Sequence, residues 1–361
     1  MLDTPLAMSR LSIGKTFALA AVGILLGAAP SIAKESVKIG LAYPWAGYGF
    51  WYLAKEKNLA PDLDIEITIM SDPLQSQALL AAGAIDVVDS TVDYAPVAAE
   101  NKLPLKIVAS HTASYGADKI LIRPGVDIPA GIIGQKVAVQ EGFIGQIMMG
   151  MWLEKNGVGV DKVKWVSIGP EQTVAPMITG DIKVGYLFEP WSSQLLKQLE
   201  GSSVVYSTLD PDLQKAAIVA DAMYMSDKFL SQRREIAVKA MKAYWDGVAY
   251  WRKNPAEANA IMAKALQFTL ADVTGTIGST GSGTDGPLHV DTFSYAATYC
   301  GQADGEMPAG QKKGQIFDSL KTINDWWIKL GVMKTKVDIA AHVDCGLFGE
   351  LIKAGYGDPA K

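Results

Sequence analysis

Between residues 37 and 199, short runs of strand character alternate with longer helical runs, and this alternation constrains the fold more than any other feature of the chain. Residues 36–41 (SVKIGL) and 64–70 (DIEITIM) have strand character, the second with strict apolar and polar alternation, and 85–88 and 105–109 follow as further strands. Helical segments separate them at 49–57, after Asp72 and Pro73, and around 94–100. Asp72 is placed as an N-cap ahead of a proline at the first helical position, and Gly83 follows the helix end. Such repetition predicts a mostly parallel sheet with helices on both faces. The pattern restarts after the Pro/Gly-rich stretch 124–134, with strands at 136–140, 164–168 and 183–188, helices at 143–156, 171–179 and 190–199, and a further strand at 204–207.

From Asp227 onward the texture is helical: Phe229, Ile236, Ala240, Met241, Tyr244, Val248 and Trp251 recur at helical spacing. Residues 275–286 (GTIGSTGSGTDG) read as a flexible loop and 315–330 as another helix. Trp152, Trp245, Trp251, Trp326 and Trp327, at helical spacings, read as core. The expected architecture is α/β with two lobes. Lobe 1 is discontinuous, 34–118 and 224–361 with a helical C-terminal region; lobe 2 is 119–223, and the ligand cleft lies between them. The crossings near 110–122 and 219–223 are the expected hinge.

The first 33 residues read as an address. Arg10 and Lys15 precede an apolar run at 16–29, and Ser31-Ile32-Ala33 has the small-x-small form of a cleavage site, which predicts a signal peptide cut near Ala33 and export to the periplasm. The residue at the cut is Lys34 rather than a cysteine, so lipid attachment is not expected. Cys300 and Cys345 are the only cysteines, both in the exported part, and an oxidising compartment predicts that they pair. A formal charge of −5 with no Lys/Arg block argues against a nucleic-acid partner. A monomer is expected.

Enzyme signatures are missing from the sequence: it has no G-x-S-x-G, H-E-x-x-H, C-x-x-C or Walker A motif. Residues 281–286 (GSGTDG) match G-x-G-x-x-G but follow no strand and open no helix, so they do not read as a dinucleotide site. His111, His289 and His342 are too scattered for metal-ligand spacing, although His111 ends a strand and reaches the expected cleft. Neither catalysis, nor a cofactor, nor a metal is expected.

The βα loops carry the informative chemistry, because ligands of open α/β sheets bind outside the carboxyl ends of the strands. The candidate ligand-binding residues there are Trp45, Tyr48, Gln75, Asp89, Asp93, Glu141, Glu189 and Trp191. Asp72, Asp89, Asp93 and Glu189 also suit helix starts, where carboxylates cap amides and favour the dipole.

Four segments carry a family resemblance: LAYPWAGYGFWYLAKEKNL, LQSQALLAAGAIDVV, KVGYLFEPW and FLSQRREIAVKAMKAYWDGVAYWRKNPAEANAIMAKAL. They resemble the periplasmic solute-binding components of nitrate/sulfonate/taurine-type ABC importers, related to the thiamine-precursor-binding proteins. The resemblance spans 37–266, and the segment 275–314 departs from it. It implies a two-lobed, hinged fold of the type II periplasmic-binding kind that delivers a small solute to a membrane permease without catalysis. Anion binders would be expected to place Arg, Lys and helix N-termini in the loops. The candidate loops hold no Lys or Arg but several carboxylates beside Trp and Tyr, which suits a small cationic or amine-rich solute, guanidinium above all. The alternatives are a small anion such as a sulfonate or nitrate, a thiamine-precursor pyrimidine, and, behind these, an exported enzyme on the same fold.

Overall fold

The computed structural model describes residues 34–70, 73–308 and 310–358. The expected signal peptide and Asp72 lie outside the described residues. Among the described residues, eleven strands occur in chain order: β1 (Glu35–Leu41), β2 (Leu63–Ile69), β3 (Val87–Thr91), β4 (Leu105–Ser114), β5 (Asp118–Ile122), β6 (Lys136–Val139), β7 (Lys164–Ser167), β8 (Val184–Phe188), β9 (Ser203–Ser207), β10 (Ala220–Ser226) and β11 (Leu288–Val290). They form two helix-flanked sheets, one of six strands in the order β11-β4-β10-β3-β1-β2 and one of five in the order β7-β6-β8-β5-β9.

Both sheets are mixed rather than mostly parallel. The βα strands pair in parallel, β1 with β2 and β3, and β6 with β7 and β8. The strands where the chain changes sheet run the other way, β10 antiparallel to β3 and β4 and β5 antiparallel to β8 and β9, and the short edge strand β11 is antiparallel to β4. A strand that enters a sheet from the opposite lobe is not preceded by a crossover helix on that sheet, so nothing imposes parallel direction on it.

β10 is a strand that the periodicity does not announce. All seven of its residues are buried, so it lacks the alternation that marks a half-exposed strand. It pairs with β4 along its whole length and with β3 from Asp221 to Met225. The expected lobe boundary at 223 therefore cuts through β10, and the strand as a whole belongs to the first sheet. The chain leaves that sheet after Ser114, enters the second at Asp118, and returns at Ala220.

The first helix, Phe50–Glu56, packs on the long helix Arg234–Lys253 through Phe50 and Trp51 against Tyr244. Gly247 permits the approach, because a Cβ there would lie 2.4 Å from the Phe50 carbonyl oxygen. This contact sets the floor under the loop after β1. Trp152, Trp245, Trp251 and Trp327 are buried as expected, whereas Trp326 is half-buried, with the Lys329 ammonium 4.5 Å from its ring centre.

The segment expected as a flexible loop is tied down. The helix Leu270–Ile277 takes its first part, and Asp285 accepts hydrogen bonds from Ser279 N (2.8 Å), Thr280 N (2.9 Å) and Ser282 Oγ (3.0 Å). Arg252 adds bonds to the carbonyls of Ser282 and Val290, each at 2.6 Å. Gly and Ser in this stretch serve close turns rather than freedom. Cys300 and Cys345 form a disulfide with a sequence separation of 45, joining the end of the helix Phe293–Tyr299 to the start of Gly346–Lys353. No helix among the described residues is long and apolar enough to cross a membrane.

Candidate functional site

A cavity lies between the carboxyl ends of the two sheets, with about 30 Å³ open to the centre of a water-sized sphere, room for a solute of a few heavy atoms. Its apolar wall is aromatic. Tyr43, Trp45 and Tyr48 come from the loop and turn after β1, Phe143 from the loop after β6, and Phe188 from the end of β8. Trp45 meets Phe188 edge to face at 5.3 Å between ring centres, and Tyr43 meets Phe143 at 5.8 Å, so the rings brace one another across the gap between the sheets. Tyr43 also crosses that gap by donating its hydroxyl to Gln140 Oε1 at 2.7 Å.

Two carboxylates line the cavity, one from each sheet: Asp221 of β10 and Asp118 of β5. Asp221 accepts from Trp45 Nε1 at 2.8 Å, from Tyr48 OH at 3.0 Å and from Thr112 Oγ1. Burial nonetheless pushes its carboxyl up from 3.8 to about 6, against the opposing pull of His111 and those donors. Asp118 accepts from Tyr186 OH and is likewise raised, mainly by burial. No Lys or Arg lines this cavity.

Behind the wall lies a second tier of charge. Asp89, at the centre of β3, is fully buried, accepts from Trp51 Nε1 at 2.7 Å and lies 3.5 Å from His111 Nε2. Burial pulls the His111 pKa down, yet Asp89 and Asp221 outweigh it and the net shift is upward. His111 Nδ1 is 2.8 Å from Tyr244 OH. Asp93 is fully buried beyond Thr91, which lines the cavity. Burial raises it to about 7, with the neighbouring Thr91 hydroxyl opposing.

The structure brings together some of the residues expected from sequence and separates others. Trp45 and Tyr48 line the cavity, and Asp89 and Asp93 lie directly behind it. Glu189 is buried beside the cavity but is neutralised by Lys119, whose Nζ lies 2.6 Å from its Oε1, and the net effect holds its carboxyl below the usual range despite burial. A count of basic residues confined to loops misses Lys119, because it is the second residue of β5. Trp191 is half-buried against Phe188 and Phe268 in an outer groove. Gln75 and Glu141 are exposed and line none of the described cavities. Asp118 and Asp221 are the residues that sequence reasoning misses. One hint was available for Asp221, since it is the only charged side chain within the apolar run 216–226.

A model of the family described as NMT1/THI5 like matches residues 46–258, a stretch that includes Tyr48, Thr91, Asp118 and Asp221. The chain belongs to the NMT1/THI5-like family. A Brucella abortus (strain 2308) protein, described only as a binding protein, is 24% identical over 262 residues, 70% of this chain and 79% of that one. The periplasmic aliphatic sulphonate binding protein SsuA of Escherichia coli shares the fold with a TM-score of 0.66 at 17% identity, covering 88% of this chain and 99% of that one. The desulfurization enzyme DSZB shares it at 0.61 and 13% identity, covering 90% and 100%. The fold is that of type II periplasmic binding proteins, and it carries binding and catalysis alike.

Proposed function

We propose that this chain is the solute-binding component of an ABC importer and that it holds a small, positively charged, amine-rich solute of guanidinium size between its sheets. The observation that carries the ligand class is the cavity lining: two buried carboxylates, one from each sheet, among aromatic rings and without a basic side chain. Ring faces and carboxylates together attract a compact cation, and the raised Asp118 and Asp221 carboxyls are groups whose ionised form such a cation would stabilise. Because the carboxylates come from different sheets, one ligand bonded to both favours the closed arrangement. Delivery to a membrane permease is supported by the fold shared with a ligand-binding component of an ABC-type import system from Staphylococcus aureus.

A sulfonate ligand is the second reading. It is favoured by the structural neighbours, since SsuA of E. coli is described as an aliphatic sulphonate binding protein, and the comparisons lean toward it rather than toward a cation. Catalysis on this fold is a third. Ser114 is the cavity's hydroxyl nearest to a nucleophile's role, yet it is bonded to Thr208 Oγ1 at 2.8 Å, and no histidine or cysteine is among the cavity's lining residues.

Titration calorimetry of the purified protein with guanidinium, methylammonium, methanesulfonate and nitrate separates these readings. The expected result is binding of the cations, weakened by Asp118→Asn and Asp221→Asn. Binding of methanesulfonate that tightens in the same variants would overturn the cation reading and leave the sulfonate one standing.

A further inference from the structure

A second cavity shares Ser114, Val219 and Ala220 with the first and extends toward the C-terminal helices. Its volume is about 20 Å³, enough for one water-sized occupant. Its polar wall is built of oxygen: Asp291 from the segment after β11, Tyr115 after β4, Tyr295 of the helix Phe293–Tyr299, and Gln311. Tyr295 OH donates to Gln311 Oε1 at 3.2 Å.

Asp291 is 8% exposed, and its carboxylate has no hydrogen bond or ion pair among the described residues. The charged groups that face it are already engaged. Arg252 is bonded to the carbonyls of Ser282 and Val290, and His111 sits between Asp89 and Tyr244. Burial outweighs their attraction, Asp221 adds a smaller push in the same direction, and the Asp291 carboxyl is raised to about 7. A buried carboxylate with an oxygen-lined space beside it is completed by a cation more fully than by a neutral water, which leaves its charge uncompensated.

We propose that this second cavity binds one water-sized monovalent cation, ammonium or potassium, on the Asp291 carboxylate, with Tyr115, Tyr295 and Gln311 as further oxygen donors. A single carboxylate and neutral oxygens suit one positive charge, whereas divalent ions bound by protein draw on several carboxylates or keep their waters. The site lies against the strands by which the chain passes between its sheets, so its occupant braces the crossing. It adjoins the solute cavity along Ser114, Val219 and Ala220, but Asp291, Tyr115, Tyr295 and Gln311 line only this one, and it does not depend on the ligand assigned next door.

Thermal unfolding tests it in potassium, ammonium and tetramethylammonium chloride at equal ionic strength, with rubidium-soaked crystals to locate the ion. The expected result is a saturable rise in midpoint with potassium or ammonium but not tetramethylammonium, and an anomalous rubidium peak beside Asp291. Whether one or both small ions act distinguishes size selection from recognition of N–H donors. Both signals should disappear in Asp291→Asn and persist in Asp221→Asn, which separates this cavity from the first. Ala113→Val fills the same space with Asp291 intact, so it provides the test if Asp291→Asn does not fold. Equal midpoints in the three salts with no rubidium peak, or signals that survive the cavity-filling change, would overturn the proposal.

Discussion

Asp221 faces the solute cavity while holding Trp45, Tyr48 and Thr112 on its oxygens, so a single change at this position acts on both the ligand and the loop after β1. Asp221→Asn keeps the shape and removes the charge. If the solute is a cation, affinity should fall by about 2–5 kcal/mol in calorimetry, the range for breaking one half of a buried charged pair. The pH dependence has a definite sign. Asp221 at about 6 and Asp93 at about 7 are both raised from 3.8, so the ligand-free folded chain holds protons that the unfolded chain releases, and stability should fall as pH rises from about 4 to 7. His111, raised by Asp89, contributes in the same direction, because its stabilisation fades as pH climbs through its folded pKa. Cation affinity runs the other way, rising up to about tenfold per pH unit below pH 6 for each carboxyl that must lose its proton. Scanning calorimetry and titration at pH 5 and 7.5 check both slopes, and affinity that strengthens toward pH 5 would contradict the cation. Legibility differs between these residues for physical reasons. Trp45 and Tyr48 are readable because they follow a recognisable strand, and large rings in such a loop have few other uses. Asp118 and Asp221 occupy strands rather than the loops where a ligand is sought, and Asp118 stands beside Lys119 as an ordinary charged strand start.

At the level of elements, most strands and helices of 36–207 are readable to within a few residues, because apolar periodicity and Pro/Gly punctuation agree there. β10 is not, since burial of every residue removes the periodic signal, and with it goes the mixed character of the first sheet. The packing of Arg234–Lys253 on Phe50–Glu56 yields a test in which local propensity and packing disagree. Gly247→Ala would gain up to about 1 kcal/mol of helix propensity, yet its methyl group meets the Phe50 carbonyl at 2.4 Å, an atom fixed by its own helix. Overpacking should win, with a net loss of about 1–3 kcal/mol in denaturant unfolding. The Cys300–Cys345 link closes a loop of 45 residues over the C-terminal helices, and its replacement by two serines should remove about 3–4 kcal/mol in the chain-entropy account, measured by the same method.

For the molecule as a whole, the two passages between the sheets, at 115–117 and between β9 and β10, are where any relative movement of the sheets must be absorbed. Small-angle scattering with and without saturating solute should record a smaller radius of gyration on binding, and an unchanged radius would rule out large closure. The placement of β10 has a consequence of another kind. It fills the position between β3 and β4, yet it is the last of these strands to be made, with Asp221 pairing to Thr91 only after the whole second sheet has been synthesised. Until then β3 is an open sheet edge and β4 has no native neighbour at all, since β10 and β11 are both still to come, and their unpaired amides and apolar faces stay open to unintended strands. Closing a register across that separation is slow because the loop must be ordered before the pairing rewards it. Biogenesis of this protein is therefore a race between completing its centre and sticking to its neighbours, and a helper that shields the half-made first sheet should raise the yield of folded chain.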